Sequence, residues 1–357
     1  MDSDELRAEY NKGRRRKYAF IFACAILAFI CGWVSLGVGT RNIPYEDVLR
    51  LLVDHFNGVE FEPRSQDAFD DNIIWQYRIP RTLLAIIAGA ILAISGSVMQ
   101  SVMKNPLADP YTTGVSSGAL FGVAIAAVLG VRIGSGQFGS SGTLINAIVF
   151  SMVPVVVIIV MSPFFRKSPS TLILAGVATS YLFNSFTSLM LVTTNDDTLA
   201  QVFQWQIGNL TELGWEPTQV LLGVLIVGAG ILWPMANKLN LMSLDDKDAK
   251  ALGMDGKRLR IVCLVTLTFM TSCVVAYCGI IGFVGLIVPH IVRIILGSDN
   301  KFILPAAMAF GSFFLLFCDI IARSVDVGAS IPIGVVTSLI GAPIFLYLII
   351  RQKKGIW

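Results

Sequence analysis

Ten apolar segments, each long enough to cross a lipid bilayer as a helix, constrain the fold of this chain most. A transmembrane helix needs about 20 apolar residues. Hydrophobic residues make up 55% of the chain and charged residues only 14%, which cannot be fitted inside one aqueous core. We therefore predict an all-α polytopic membrane protein with about ten transmembrane helices, at residues 18–39, 79–103, 113–131, 143–163, 171–193, 217–237, 259–279, 280–297, 303–322 and 333–350.

Basic residues between these segments predict the orientation of the chain. Lys and Arg near transmembrane helices stay in the cytoplasm, and a cytoplasmic N-terminus places most of the 27 on that side. The net charge of +3 is then a topology signal and indicates no nucleic-acid partner. We predict cytoplasmic tails at 1–17 and 351–357, a transmembrane domain at 18–350, an outer segment at 40–77 and a cytoplasmic loop at 238–258.

Part of the outer segment has the periodicity of an amphipathic helix. It begins at Pro44 and stops at Gly58, and its apolar residues recur at helical spacing, at Val48, Leu51, Leu52 and Phe56. We expect this helix to lie on the outer surface of the membrane.

The cytoplasmic loop has the pattern of two short helices joined at a glycine. Ser243 and Asp246 match the S-x-x-[DE] start of a helix, and Gly253 stands where a C-terminal cap is expected. A second helix is predicted to begin near Asp255 and to run into the seventh span. Such a compact element could push or be pushed by a soluble partner, and a solvated charged loop is the alternative.

Four ionisable residues lie at the outer ends of spans. Arg78, Arg81 and Arg323 occupy helix mouths, where arginines routinely reach lipid headgroups, so their positions alone leave anchoring and a functional surface both open. Asp319 is the one acidic residue well inside a predicted span. Ion-driven carriers keep ionisable residues near the midplane, whereas Asp319 lies near an outer end, which argues for an external energy source.

The fifth span carries a polar stripe, because four residues fall on one helix face: Ser180, Asn184, Thr187 and Ser188. Such a stripe either lines a wet path or joins neighbouring helices by hydrogen bonds, and the second use is the commoner one.

Catalytic, nucleotide and metal sites are not predicted in this chain. The sequence GMDGK at 253–257 lacks the spacing of a phosphate-binding loop. Only His55 and His290 are available as histidine ligands, and the six cysteines form no C-x-x-C pair. We expect His290 to be a helix-packing residue, and any ATP to be bound by another chain.

Ordered motifs between about residue 74 and 350 carry a specific resemblance. They are RIPRTL, GAILAISGSVMQ, NPLADPYTTGVSSGA, LILAGVA, WQIGNL, LNLMSLDDKDAKALG, GFVGLIVPHIVR, DIIAR and IPIGVVTSLIGAPIF. In this order they resemble the FecCD family, the permease subunits of ABC importers for iron-siderophores, haem and cobalamin. The basic N-terminal extension and the acidic outer segment lie outside this resemblance.

The resemblance implies the type II ABC importer architecture, with two permease subunits around a central path. We expect a homodimer, with a heterodimer of related permeases as the alternative. Two copies of a separate ATP-binding subunit would carry ATP and Mg²⁺, and an extracytoplasmic substrate-binding protein would dock outside. The complex would import a bulky metal chelate, an iron-siderophore before haem or cobalamin, across a prokaryotic cytoplasmic membrane. A secondary transporter with its own ion coupling is the alternative.

The resemblance also assigns roles to particular residues. Acidic residues of the binding protein would meet Arg78, Arg81 and Arg323. Coupling to the ATPase would use Ser243, Asp248, Ala249, Leu252 and Gly253. The fifth span would line the path with Ser180, Asn184, Thr187 and Ser188. The turn before that span would supply a cytoplasmic gate at Ser168 and Ser170.

Overall fold

The computed structural model shows a bundle of α-helices, with no strand in the part of the chain that it describes. That part comprises residues 3–39, 41–134, 141–161, 169–211, 213–244, 251–325 and 331–351. Its helices are α1 (Ser3–Gly37), α2 (Tyr45–Phe56), α3 (Gln66–Asn72), α4 (Ile79–Val102), α5 (Val115–Val128), α6 (Ser141–Met161), α7 (Pro169–Val192), α8 (Asp196–Gln206), α9 (Trp215–Leu232), α10 (Ala236–Leu241), α11 (Gly256–Cys278), α12 (Val284–Leu296), α13 (Asn300–Ser324) and α14 (Ile333–Arg351).

The ten predicted spans are confirmed as helices. Eight helical stretches in the described residues are long and apolar enough to cross a membrane, and α5 and α12 are shorter apolar helices. A 3₁₀ turn at Pro110–Thr113, capped by the Asp109 side chain, delays the start of α5. The positive φ of 69° at both Gly279 and Phe283 separates α11 from α12. Local chain breaks therefore shorten these two spans.

The first helix is longer than the predicted span. It begins at Ser3, so residues 3–17 of the predicted cytoplasmic tail are helical and continuous with the first span. Lys17 places its ammonium group 4.6 Å from the centre of the Phe302 ring, and Tyr18 contacts the same ring edge-on. The basic end of α1 thus packs beside the start of α13.

The predicted amphipathic helix in segment 40–77 is confirmed as α2, and its place on the outer surface of the membrane stays a prediction. It runs from Tyr45 to Phe56 and is followed by Gly58 with a φ of 72°. Val48 and Leu51 are buried, but Phe56 is largely exposed and meets the edge of the Trp75 ring. Phe56 therefore lies off the buried face, in contact with the residues that lead into α4.

α4 is the central helix of the bundle. In the most apolar 18 residues of the span that contains α4, 89% of the residues are buried, compared with 22% for α7 and 28% for α14. Glycines let it contact two neighbours backbone to backbone. A Cβ atom on Gly89 would lie 2.3 Å from the carbonyl oxygen of Gly311 in α13, and one on Gly96 would lie 1.8 Å from that of Gly285 in α12. These contacts hold α4, α12 and α13 close together.

Candidate docking, coupling and translocation sites

Arg81 and Arg323 converge on Asp319, a fully buried carboxylate in α13. The Arg81 Nε donates to Asp319 Oδ1 at 2.9 Å, and Arg323 Nη2 lies 2.9 Å from Oδ2. The side chains of Arg81 and Arg323 are 11% and 7% exposed. Arg81 also donates to the hydroxyl of Thr211 at 3.3 Å. Asp319 therefore joins α13 to α4 through Arg81, while Arg323 pairs with the same carboxylate from within α13.

Arg323 ties the C-terminal end of α1 to this ion network, and Arg78 contacts the same end of α1. Arg78 is buried and donates to the backbone carbonyls of Leu36 and Arg41. Arg323 donates to the carbonyl of Ser35 at 3.2 Å and to its hydroxyl. We call Arg78, Arg81, Asp319 and Arg323 the outer arginine cluster.

The structure corrects the expected setting of these arginines. The sequence suggested free charges at wet helix mouths or anchors in the lipid headgroups, whereas all three side chains have partners within the chain. A buried carboxylate needs a positively charged partner. Asp319 pairs with Arg81, which lies 238 residues away in the sequence. The i,i+4 spacing of Asp319 and Arg323 was the available signal in the sequence. Contact with a binding protein stays a prediction.

The second helix of the cytoplasmic loop is confirmed. Asp255 caps α11 by accepting from the backbone N–H groups of Lys257 and Arg258 at 3.1 and 3.2 Å. From Gly256, α11 continues without a break as the seventh span. The end of the loop is therefore part of the same continuous helix as the seventh span.

Three of the five predicted coupling residues are described. The exposed Ser243 donates its hydroxyl to the carbonyl of Asn240 at 2.7 Å. Leu252 is 61% exposed, and Gly253 has a φ of 78°, as a left-handed helix cap requires. Asp248 and Ala249 lie outside the described residues.

The predicted polar stripe of α7 divides between two environments. Thr187 is buried, while Asn184 and Ser188 are exposed. Ser180 is half-buried and donates its hydroxyl to the carbonyl of Gly176 at 2.9 Å. Asn184 and Ser188 thus lie on an open face of α7, and their role in a path stays a prediction.

One of the two predicted gate residues lies at the beginning of α7. Ser168 falls outside the described residues. Ser170 lies in the first turn of α7, and its side chain is outside the described part of the chain.

A cavity of about 470 Å³ opens where the end of α8, the break between α11 and α12, and the start of α14 meet. Its lining contains two polar side chains and no charged one: Gln206, Ile207, Ile280, Gly282, Gly334, Val335, Ser338 and Leu339. This cavity could not be predicted from the sequence, because its lining residues are far apart in the chain. Phe283 beside Gly282 has a positive φ, a strained conformation for a non-glycine residue.

His290 has the packing environment that the sequence suggested. It is buried in α12, and its ring meets Phe345 of α14 edge-on with 6.2 Å between the ring centres.

Comparison with known proteins identifies the family. The FecCD transport family matches residues 26–351. The chain belongs to the FecCD transport family. It is 33% identical to the molybdate import permease MolB of Haemophilus influenzae, over 94% of this chain and 96% of the relative. It is also 33% identical to the Fe(3+)-citrate import permease YfmE of Bacillus subtilis, over 95% and 97%.

A solved structure agrees with this assignment. An inward-facing metal-chelate type ABC transporter is 30% identical to this FecCD protein and superposes with a TM-score of 0.79, covering 94% of this chain and all of the other. The family match includes the outer segment 40–77, which the sequence motifs had left outside the resemblance. This protein is thus a permease of the ABC importer class, and an ion-coupled secondary transporter is disfavoured.

Proposed function

We propose that this FecCD permease imports a bulky metal chelate, with an iron-siderophore as the preferred cargo and haem or cobalamin as alternatives. The supporting observation is the uncharged character of its open faces. The sequence has no charged residue in 169–192 or 333–350, and the cavity contributes only Gln206 and Ser338 as polar side chains. A bare oxyanion such as molybdate calls for charged or densely hydrogen-bonding groups, whereas a large chelate passes a wide, weakly polar surface.

The partners in this proposal follow from the same faces and from the family. Large apolar side chains on α7 and α14, such as Tyr181 and Leu339, are 71% exposed in the single chain. We assign these faces to a second copy of the permease, with Asn184 and Ser188 along the path between the copies. Ser168 and Ser170 would form its cytoplasmic gate. Two ATP-binding subunits, carrying ATP and Mg²⁺, would contact the two cytoplasmic loops.

Leu252→Asp tests the coupling role of the cytoplasmic loop. Leu252 is 61% exposed, so the substitution should leave the fold intact, but an unpaired carboxylate buried against an ATPase costs several kcal/mol. We expect loss of ATP-driven uptake in proteoliposomes that contain the permease, its ATP-binding subunit and the substrate-binding protein. Leu252→Met is the matched control and should retain uptake. Equal uptake by both variants would remove the loop from the coupling interface.

Arg78→Gln tests the proposed docking of acidic groups on the outer arginine cluster. Arg78 is chosen because it does not pair with Asp319. Because its guanidinium also donates to the carbonyls of Leu36 and Arg41, the Tm of the variant is measured beside docking. Exposed ion pairs contribute about 0.2–1 kcal/mol and desolvated ones more. We therefore expect the Kd of the binding protein to rise about fivefold at low salt, with a weaker salt dependence.

The control for this docking experiment is Arg50→Gln. Arg50 also carries one positive charge on the outer segment, but it is paired with Asp47 and Asp67 and lies outside the cluster. Docking by this variant should match the wild type. If Arg78→Gln and Arg50→Gln bind with the same Kd and the same salt slope, the cluster is not the docking site.

A further inference from the structure

A group of polar side chains lies buried on the cytoplasmic side of the bundle, where four helices meet. Gln100, Arg293 and Asn300 are buried, and Ser101 and Asn240 are half-buried. They belong to α4, α12, α13 and α10. We call these five residues the inner polar cluster. Buried polar networks that are fully satisfied hold their elements in one arrangement.

Asn240 fastens the cytoplasmic loop to the first turn of α13. Its Oδ1 accepts from the backbone N–H of Asn300 at 2.8 Å and from Asn300 Nδ2 at 2.9 Å. Its Nδ2 donates to Asp299 Oδ1 at 2.7 Å. The first N–H groups of a helix have no acceptor within the helix. Asn240 of α10 supplies such an acceptor to the first N–H group of α13. Only an amide satisfies both the donors of Asn300 and the acceptor of Asp299.

The remaining members extend this contact into α4 and α12. The Asn300 Oδ1 accepts from Ser101 Oγ at 3.0 Å and from Arg293 Nη2 at 3.4 Å. Arg293 Nη2 also donates to Ser101 Oγ at 2.8 Å and to the Ser97 carbonyl at 3.0 Å. Its Nε donates to Gln100 Oε1 at 3.3 Å. The start of the cytoplasmic loop is thus joined to three membrane helices by hydrogen bonds.

A second bond ties the same loop to the end of α4. The Lys104 ammonium group donates to the carbonyl of Leu244 at 2.8 Å, four residues beyond Asn240. The loop is therefore held on both sides of Ser243, a residue of the predicted coupling motif, and its displacement must either break these bonds or move the helices.

We infer that Asn240 is a positioning residue that transmits ATPase-driven displacement of the cytoplasmic loop to α4, α12 and α13 as one body. α13 has 25 residues and is about 37 Å long, and its far end carries Asp319 and Arg323. The Gly89–Gly311 contact keeps α4 and α13 together between the two clusters. Nucleotide-dependent movement at the loop therefore reaches the outer arginine cluster. This inference rests on the proposed coupling to a separate ATPase.

Asn240→Ala is the test, in proteoliposomes with the ATP-binding subunit and the binding protein. We expect the amount of ATP hydrolysed per substrate imported to rise about tenfold, within the usual range of site-to-site coupling, while the ATP-binding subunit stays assembled. Asn237→Ala is the control, because it removes an exposed amide from the same helix, α10, and leaves the contacts of Asn240 in place. Its ratio should equal that of the wild type.

Further variants separate transmission from simple stabilisation. Asn300→Ala and the double variant should raise the ratio no more than Asn240→Ala alone, because both residues act in one chain of bonds. If Asn240→Ala does not assemble, Asn240→Asp is measured instead. It keeps the acceptor for Asn300 and loses the donor to Asp299, so it should also raise the ratio. A lowered Tm with an unchanged ratio of ATP hydrolysed to substrate imported overturns this inference but not the proposed function. A wild-type complex without ATP-driven uptake overturns the proposed function and this inference with it.

Discussion

Asp319→Ala is expected to lower the free energy of unfolding of the permease by about 3–5 kcal/mol, the usual cost of removing one partner of a buried ion pair. The carboxylate is fully buried, and it bonds Arg81 and Arg323 at 2.9 Å each. Its loss leaves two nearly buried guanidinium groups without their carboxylate. Thermal unfolding of the protein in nanodiscs measures the effect as a lowered Tm.

Asp67→Ala is the matched control for this prediction. Asp67 also pairs with an arginine, Arg50, at 2.9 Å, but both side chains are more than 40% exposed, so its loss should cost only about 0.2–1 kcal/mol. Removing all charges together, in Asp319→Leu with Arg81→Met and Arg323→Met, should recover much of the lost stability. If Asp319→Ala and Asp67→Ala lower the Tm equally, the carboxylate does not hold α4 to α13.

Gly96→Ala is expected to destabilise the bundle by about 3 kcal/mol, at the upper end of the cost of overpacking a core. The added Cβ would lie 1.8 Å from the carbonyl oxygen of Gly285. This atom belongs to the backbone of α12 and cannot rotate away, so the two helices must separate. The bonds of the inner polar cluster between α4 and α12 would then lengthen as well. Reduced Tm and reduced yield of folded protein are the measurements.

Gly223→Ala provides the comparison, since it makes the same substitution in α9, where no atom lies within 4 Å of the added Cβ. There the change should be neutral or should stabilise the helix by about 0.5–1 kcal/mol, because alanine has the better helix propensity. Equal losses of stability in the two variants would show that helix propensity, and not the contact with Gly285, determines the result.

Locally encoded features are the ones that could be predicted from the sequence. A span, an amphipathic helix such as α2 and a helix start such as Asp255 each depend on residues within a few turns of one another. The division of the α7 stripe could not be predicted in the same way. Thr187 and Ser188 are adjacent in the sequence, yet one is buried and the other exposed, because burial depends on the helices that pack against α7.

The sequence by itself determined the membrane class, the ten helices, the left-handed turn at Gly253 and the family. Hydropathy, chirality and ordered motifs are properties of short stretches of chain. Only the tertiary structure decided that Asp319 binds Arg81, that Asn240 binds Asn300 and that a cavity forms beside Gly282. Partner choice among buried charges and amides depends on which helices meet, and those helices are brought together by backbone contacts between glycines that lie up to 222 residues apart, as in Gly89 and Gly311.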